Sequence, residues 1–542
     1  MFRRRLKLLR VVVALAMFAG LTAALVDFRG FIPPRLGHWL ASVQFVPSTV
    51  ALATGAALSL ACVAIVAATL AAGRIYCSAI CPLGILQDAI ARIVTTLRFR
   101  KKGLLRFAPP RTWLRQAFLW GTLAGVAAGW AGLVVAQIDP YSVFGRIASG
   151  IFRPLLTLAN NAVVGIANAI GFGDLYRVDP PWAGFGALLI PALMLTLIVW
   201  LSAWRGRLYC NTVCPVGTLL GWLSRWAAFR LEIDRNACTK CAACLRVCKA
   251  QCIDLRAGAI DFSRCVACYN CIGACEHGGI DHRFAWRRRQ TSPAGPAPGP
   301  AALAAAPDPA RRAFIAGTAA AVVVSLGAAP RLLAQTQEHD RHEADHDAPR
   351  HPGDDDHARA ICPPGSVSID RFLDRCTACQ LCVSACLTHV LQPATLEYGF
   401  TGLLKPRMSY SIAFCNYDCR ACGEVCPTGA ITLLDLAEKR VTQIGEAQFD
   451  ETKCIVKVKG TDCAACSEHC PTKAVNTVPY GDNLRLPKVD RELCIGCGAC
   501  EYACPVLPQK AITVAGHRHH GRARKPEEKK AAAPTPAGDF PF

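Results

Sequence analysis

Twenty-four of the 31 cysteines fall into six groups of four. Cys238, Cys241, Cys244 and Cys248 are spaced C-x2-C-x2-C-x3-C, and Cys265, Cys268, Cys271 and Cys275 repeat that rhythm. It is the bacterial ferredoxin spacing for a pair of [4Fe-4S] clusters. Short spacers let three thiolates wrap one cube from a single loop, while the following helix carries the fourth to the neighbouring cube. Cys275 is therefore expected beside Cys238, Cys241 and Cys244, and Cys248 beside Cys265, Cys268 and Cys271. Zinc sites rarely use this four-cysteine rhythm twice. The usual proline after the fourth cysteine is replaced by Lys249 and Glu276, and Cys252 is an extra thiol nearby.

Four more groups follow. Cys376, Cys379, Cys382 and Cys386 keep the standard spacing, as do Cys494, Cys497, Cys500 and Cys504. Cys415, Cys419, Cys422 and Cys426 run C-x3-C-x2-C-x3-C, and Cys454, Cys463, Cys466 and Cys470 run C-x8-C-x2-C-x3-C. Their sixteen thiolates would supply four clusters, making about six [4Fe-4S] clusters in the chain. Sequential pairing would exchange Cys386 with Cys426 and Cys470 with Cys504. Nested pairing, first with fourth and second with third, is equally open. Short apolar pairs such as Ala430-Ile431 and Ala511-Ile512 follow the motifs, as strands would.

A different pattern, G-R-[IL]-Y-C-x-x-[IV]-C-P-[LV]-G, occurs at Gly73–Gly84 and again at Gly206–Gly217. It holds Cys77, Cys81, Cys210 and Cys214. One reading is structural, with proline opening a helix and small residues packing tightly. The other makes these four thiols candidate redox or metal groups that converge if the two copies lie side by side. Cys62, in an apolar stretch, reads as a small core residue. Cys62, Cys252 and Cys362 complete the 31.

The elements that must position these thiols are apolar. Runs near 11–27, 49–72, 116–137 and 182–203 are long enough, or nearly so, for transmembrane helices, giving two tandem hairpins, each followed by one copy of the motif. Residues 151–173 contain Arg153, Pro154, Asn160 and Asn161 and read as an interfacial or re-entrant piece. Residues 1–10 hold five Lys/Arg, and 73–115 hold nine with one acid. The positive-inside rule then places the N-terminus, 73–115 and the segment after 203 in the cytoplasm.

Hydrophobic residues make up 52% of the 542, and charged residues only 18%. That excludes a disordered chain and an ordinary cytosolic enzyme. The net charge of +21 lies in residues 1–334, with 36 Lys/Arg against 12 Asp/Glu, while 335–542 carry 24 against 27. The basic residues flank apolar runs, so the expected partner is membrane lipid and not nucleic acid. The chain divides into a four-helix membrane domain (1–229) and a cytoplasmic two-cluster ferredoxin-like domain (230–282). A Pro/Ala/Gly-rich linker (283–310) follows. Next come a twin-arginine Tat-like signal or fifth transmembrane segment (311–334, opening on Arg311-Arg312) and a His/acidic spacer (335–360). The remainder is a periplasmic four-cluster domain (361–515) and a disordered tail (516–542). The fold class is thus an α-helical membrane domain with α+β ferredoxin-like polycluster domains on both sides of the membrane. Tat export fits because it moves folded, cluster-loaded cargo.

On these motifs, residues 1–282 resemble the NapH-type membrane ferredoxin proteins with two C-x3-C-P motifs. Residues 311–515 resemble the Tat-exported NapG/MauM group, as if two partners were fused. The resemblance implies a multi-pass protein of the bacterial inner membrane that oxidises quinol from the quinone pool. Its electrons would pass to a periplasmic acceptor protein, a multihaem cytochrome or a reductase or dehydrogenase system of the nitrate reductase kind. The membrane core is also similar to that of NosR-type regulators, but no flavin-binding domain precedes the first span. Two other functions are open: an assembly or regulatory redox protein that matures a partner metalloenzyme, and a metal-handling protein built on the His-rich tract. No nucleophile–base pair or nucleotide loop is present. His38, Asp139 and Tyr141 are candidate quinol-site residues near the outer face, with ordinary interfacial roles as the alternative.

Overall fold

A computed structural model describes residues 2–55, 60–97, 107–128, 130–171, 176–178, 185–284, 360–481 and 483–525. The Tat-like segment, most of the linker and the spacer, and residues 526–542 lie outside these. Among the described residues, three helices are long and apolar enough to cross a membrane: Arg5–Val26, Pro140–Ala169 and Leu188–Arg205.

Two of the four expected spans, 11–27 and 182–203, correspond to such helices. The other two do not. The 49–72 run is broken into Phe45–Ala53 and Ala61–Ala72. The two pieces lie side by side, since the Ser48 hydroxyl accepts the Cys62 amide at 2.8 Å. Gly55, at φ +65°, ends the first piece in a conformation that only glycine adopts freely. The 116–137 run likewise splits into Thr112–Ala127 and Ala131–Ile138. A β-carbon on Gly125 would lie 2.7 Å from Val134, so the chain doubles back there. Hydropathy counts apolar residues but is blind to the direction in which they run.

Residues 151–173, expected at the interface, fall largely within the Pro140–Ala169 helix. Their polar groups have protein partners. Arg153 donates to the carbonyls of Val383 and Ser384, and Asn160 accepts from Arg29. A π-turn over Ala148–Phe152 precedes Pro154 and gives room for its missing N–H.

The first ferredoxin unit closes with an antiparallel pair, Phe229–Ile233 against Ile280–Phe284. In the second unit, Thr442–Phe449 pairs antiparallel with Ile512–Arg522. Ile512 thus opens a strand as expected, whereas Ala430-Ile431 lies in none. The strand continues past 515, so residues 516–525 belong to this unit and are not a disordered tail. The register resumes at Gly521↔Gln443 beyond a bulge, and His520 is held by Cys362 Sγ at 3.2 Å.

The first helix marks the order of these parts. Near its start, Gly273 of the first unit sits beside Lys7. Arg10 donates to the Ser78 carbonyl, between Cys77 and Cys81. Phe18 packs on Phe144 with ring centroids 5.4 Å apart. At the far end the Leu25 carbonyl accepts the Ser384 hydroxyl at 2.7 Å.

Candidate cluster-binding centres

Each loop of standard spacing has the same backbone signature. The second cysteine is flanked by two left-handed residues: Lys240 and Ala242, Ala267 and Tyr269, Ala378 and Gln380, Gly496 and Gly498. Left-handed backbone is costly for six of these eight. Such alternation turns successive N–H groups toward one concavity, which suits an anion. In the two loops with a longer first spacer, Arg420 and Ala464 keep negative φ, because the extra residues make the turn gradual.

Among the described residues, cavities of similar size lie within these loops. One, with about 350 Å³ of empty space, is lined by Cys238, Cys241, Cys244 and Cys275. A second, of about 330 Å³, is lined by Cys248, Cys265, Cys268 and Cys271, with Cys252 on its wall. In the second unit, Cys376, Cys379 and Cys382 share a cavity with Cys426, and Cys454, Cys463 and Cys466 share one with Cys504. The remaining thiols complete the same exchange. Cys386 lies in electrostatic reach of Cys415 and Cys422, and Cys470 in reach of Cys494 and Cys500. The second unit is therefore arranged sequentially, which spacing alone left open. Burial pushes the Cys379 and Cys466 thiols up to about 12. A bound iron centre offsets that cost by holding the sulfur as thiolate. Four thiols around each cavity and the inward N–H groups fit a [4Fe-4S] cluster, which supplies one-electron chemistry when bound.

The tandem motif forms a buried core. Cys81 and Cys214 each stand just before a helix, Pro82–Leu97 and Pro215–Leu223, and each sulfur accepts an N–H from the first turn, that of Gly84 or Gly217. A β-carbon on Gly84 would lie 2.4 Å from the Cys77 carbonyl oxygen, and one on Gly217 would lie 2.3 Å from that of Cys210. The closing glycine of the pattern is thus a packing requirement in both copies. The arginines cross between copies. Arg207 donates to the Cys77 carbonyl at 2.6 Å, and Arg74 to the Asn211 side chain at 3.1 Å. Gln87 donates to Cys210 Sγ at 3.2 Å.

The first ferredoxin unit docks on this core, and the second docks on the helix that opens at Pro140. Arg207 forms a two-pronged pair with Asp88, both contacts at 2.7 Å, and Lys249 reaches the same carboxylate at 2.9 Å. Asp88 is the single acid of 73–115, and Lys249 is the residue that replaces the usual proline. Asn211 donates to the Ala250 carbonyl, and Arg74 to that of Ser263. On the other unit, a β-carbon on Gly145 would lie 2.1 Å from the Cys379 carbonyl oxygen. Of the proposed quinol-site residues, Asp139 is buried and caps the following helix by accepting from Ser142 at 2.8 Å. Tyr141 is fully buried facing Cys379. His38 lies in the Pro34–Ser42 helix, which packs on the first helix and on the second unit.

Comparison with known proteins agrees with this geometry. A 4Fe-4S binding-domain model matches residues 54–104 and again 187–234. A 4Fe-4S dicluster model matches 414–474, and a further 4Fe-4S binding-domain model matches 487–507. An uncharacterised protein of Methanocaldococcus jannaschii is 35% identical over 88 residues, 16% of this chain and 35% of that protein, so the chain spans about a third of it. The ferredoxin-type protein NapG of Escherichia coli is 30% identical over 165 residues, covering 28% of this chain and 68% of NapG. The methylamine utilization ferredoxin-type protein MauM of Paracoccus denitrificans is 35% identical over 168 residues, covering 29% of this chain and 71% of MauM. No solved structure matches the chain.

Proposed function

The chain belongs to the ferredoxin-type iron–sulfur protein family of NapG and MauM, and from that premise we propose that it is a quinol-oxidising electron-transfer protein of a bacterial inner membrane. Electrons from quinol pass through about six [4Fe-4S] clusters, held by the six cysteine groups, to a periplasmic acceptor in a nitrate reductase-like system. The first ferredoxin unit faces the cytoplasm and the second the periplasm. The first 282 residues act as the NapH-like partner, joined to a NapG-like one in a single chain.

The observation that carries this reading is the seating of two cluster-binding units at opposite ends of one apolar helix, at Lys7 and at Leu25. A soluble ferredoxin needs no such arrangement. A membrane carrier that must reach a pool within the bilayer and an acceptor outside it does.

The test is anaerobic reduction of the reconstituted full-length protein by ubiquinol and menaquinol analogues, with cluster reduction followed by EPR. Appearance of reduced-cluster signals is expected. If dithionite reduces the clusters and neither quinol does, the quinol reading is overturned and an assembly or regulatory role takes its place.

A further inference from the structure

The family-model matches to 54–104 and 187–234 pose a problem of arithmetic. The first stretch contains three cysteines, Cys62, Cys77 and Cys81, and the second only Cys210 and Cys214. Neither copy can complete a four-thiolate site alone. The structure brings the two copies together. Gln87, on the helix that follows Cys81, donates to Cys210 Sγ at 3.2 Å, and Arg207, three residues before Cys210, donates to the Cys77 carbonyl at 2.6 Å; Cys81 and Cys214 each lie in electrostatic reach of Cys210 and Cys77. All four thiols are buried. Two of them accept N–H groups at helix starts, where the helix dipole favours negative charge. Among the described residues, no three Cys, His, Asp or Glu groups converge tightly enough for a single metal ion, the ferredoxin loops included.

The position of this core matters as much as its composition. Asn211, next to Cys210, is bonded to Ala250, two residues beyond Cys248 of the first unit. On the other side, Tyr209, which precedes the first cysteine of the second copy, donates to the Ile138 carbonyl at 2.9 Å, just before Asp139. Six residues past Asp139, a β-carbon on Gly145 would lie 2.1 Å from the carbonyl oxygen of Cys379 in the second unit. Along the first helix, the contact to this core at Arg10 falls between those to the two units, at Lys7 and Leu25.

We propose that Cys77, Cys81, Cys210 and Cys214 jointly hold one further iron–sulfur cluster, shared across the repeat and relaying electrons between the two ferredoxin units. This rests on the electron-transfer reading above. One electron enters from a reduced centre in one unit as one leaves to an oxidised centre in the other. No bond forms or breaks, no proton moves, and no other oxidant is needed.

The experiment uses the full chain, reconstituted anaerobically, as wild type and with all four cysteines changed to serine. Cys62→Ser serves as a control for disturbance of the same domain. Iron and acid-labile sulfide per chain are counted, and Mössbauer and EPR spectra are recorded. Electron redistribution between the units after photoreduction is followed by freeze-quench EPR. The quadruple variant should lose one cluster's iron and sulfide, keep the ferredoxin signals, and slow the redistribution. The Cys62→Ser protein should match wild type. Unchanged iron, or lost iron with unchanged redistribution, overturns the proposal. Should the quadruple variant fail to accumulate, Cys81→Ser and Cys214→Ser singly should each perturb the same one spectral component. Perturbation of different components, or of none, also overturns it. Failure of quinol to reduce wild type would leave the iron count untouched, so the two readings fail separately.

Discussion

Cys252 shows what one residue can add to a motif that is already complete. Its sulfur lies 3.7 Å from Cys248 Sγ and on the wall of the cavity that Cys248 shares with Cys265, Cys268 and Cys271. A hydrogen bond from Cys252 holds the Cys248 thiol below its ordinary range. Hydrogen bonds to ligating sulfurs raise a cluster's reduction potential by drawing charge from them. Cys252→Ala should therefore lower the midpoint potential of one cluster in an EPR-monitored redox titration, with iron content unchanged. Cys252→Ser keeps a donor and should recover most of the shift. Loss of iron in the alanine variant would instead make Cys252 a ligand. The spacing of the eight regular cysteines was readable because each loop is local. Cys252 was left over because its approach depends on Gln251 at φ +52°, a turn that no composition rule marks.

At the scale of elements, the Pro82–Leu97 helix, the second copy of the tandem motif and the first ferredoxin unit meet at one carboxylate. Burial raises the Asp88 carboxyl, but Arg207 and Lys249 outweigh it and hold it below the usual range. The stability this pair contributes is present above the ordinary carboxylate pKa of about 3.9 and is lost as pH falls through the lower folded value. Between neutral and mildly acidic pH it should not change. Asp88→Asn leaves the fully buried Arg207 guanidinium unpaired and should cost about 3–5 kcal/mol. Lys249→Gln removes a partly exposed cation and should cost about 1 kcal/mol or less. Denaturant unfolding in detergent, with limited proteolysis of the first unit as a second readout, checks the order. Equal effects would mean that Lys249, not Arg207, anchors the carboxylate. Lys249 was visible in the sequence as a departure from the ferredoxin pattern, and Asp88 as a lone acid in a basic stretch. Their partnership was not, since 161 residues separate them. The doubled-back helices were hidden for a related reason: the Ser48–Cys62 contact that shows the turn is tertiary. Gly84 and Gly217 are the opposite case, a repeat seen in sequence whose cause is a carbonyl oxygen under each glycine.

For the whole molecule, the first helix sets the scale. Lys7 and Leu25 are 18 residues apart on it, about 27 Å at 1.5 Å per residue, close to the roughly 30 Å hydrocarbon thickness. The Lys7 end carries the basic N-terminus and the first unit. The Leu25 end carries the second unit, which belongs to the half of the chain with a slight excess of acid. The orientation proposed above, with the basic end inside, is the one the positive-inside rule favours. The chain leaves the first unit after Phe284 and re-enters the second at 360. A membrane between the two units therefore requires one more crossing, and the sequence supplies an uncharged run from Ala313 to Pro330 for it. Protease sites inserted in single loops would test this directly, one at Gly258 in the first unit and one at Gly481 in the second. External protease on spheroplasts should cut at 481 and spare 258, and inverted vesicles should reverse the pattern. Cutting of both sites from the same side would place the two units on one face. The first helix would then have to lie along the membrane and not through it, and the path from quinol to a periplasmic acceptor would need a second protein to cross the bilayer.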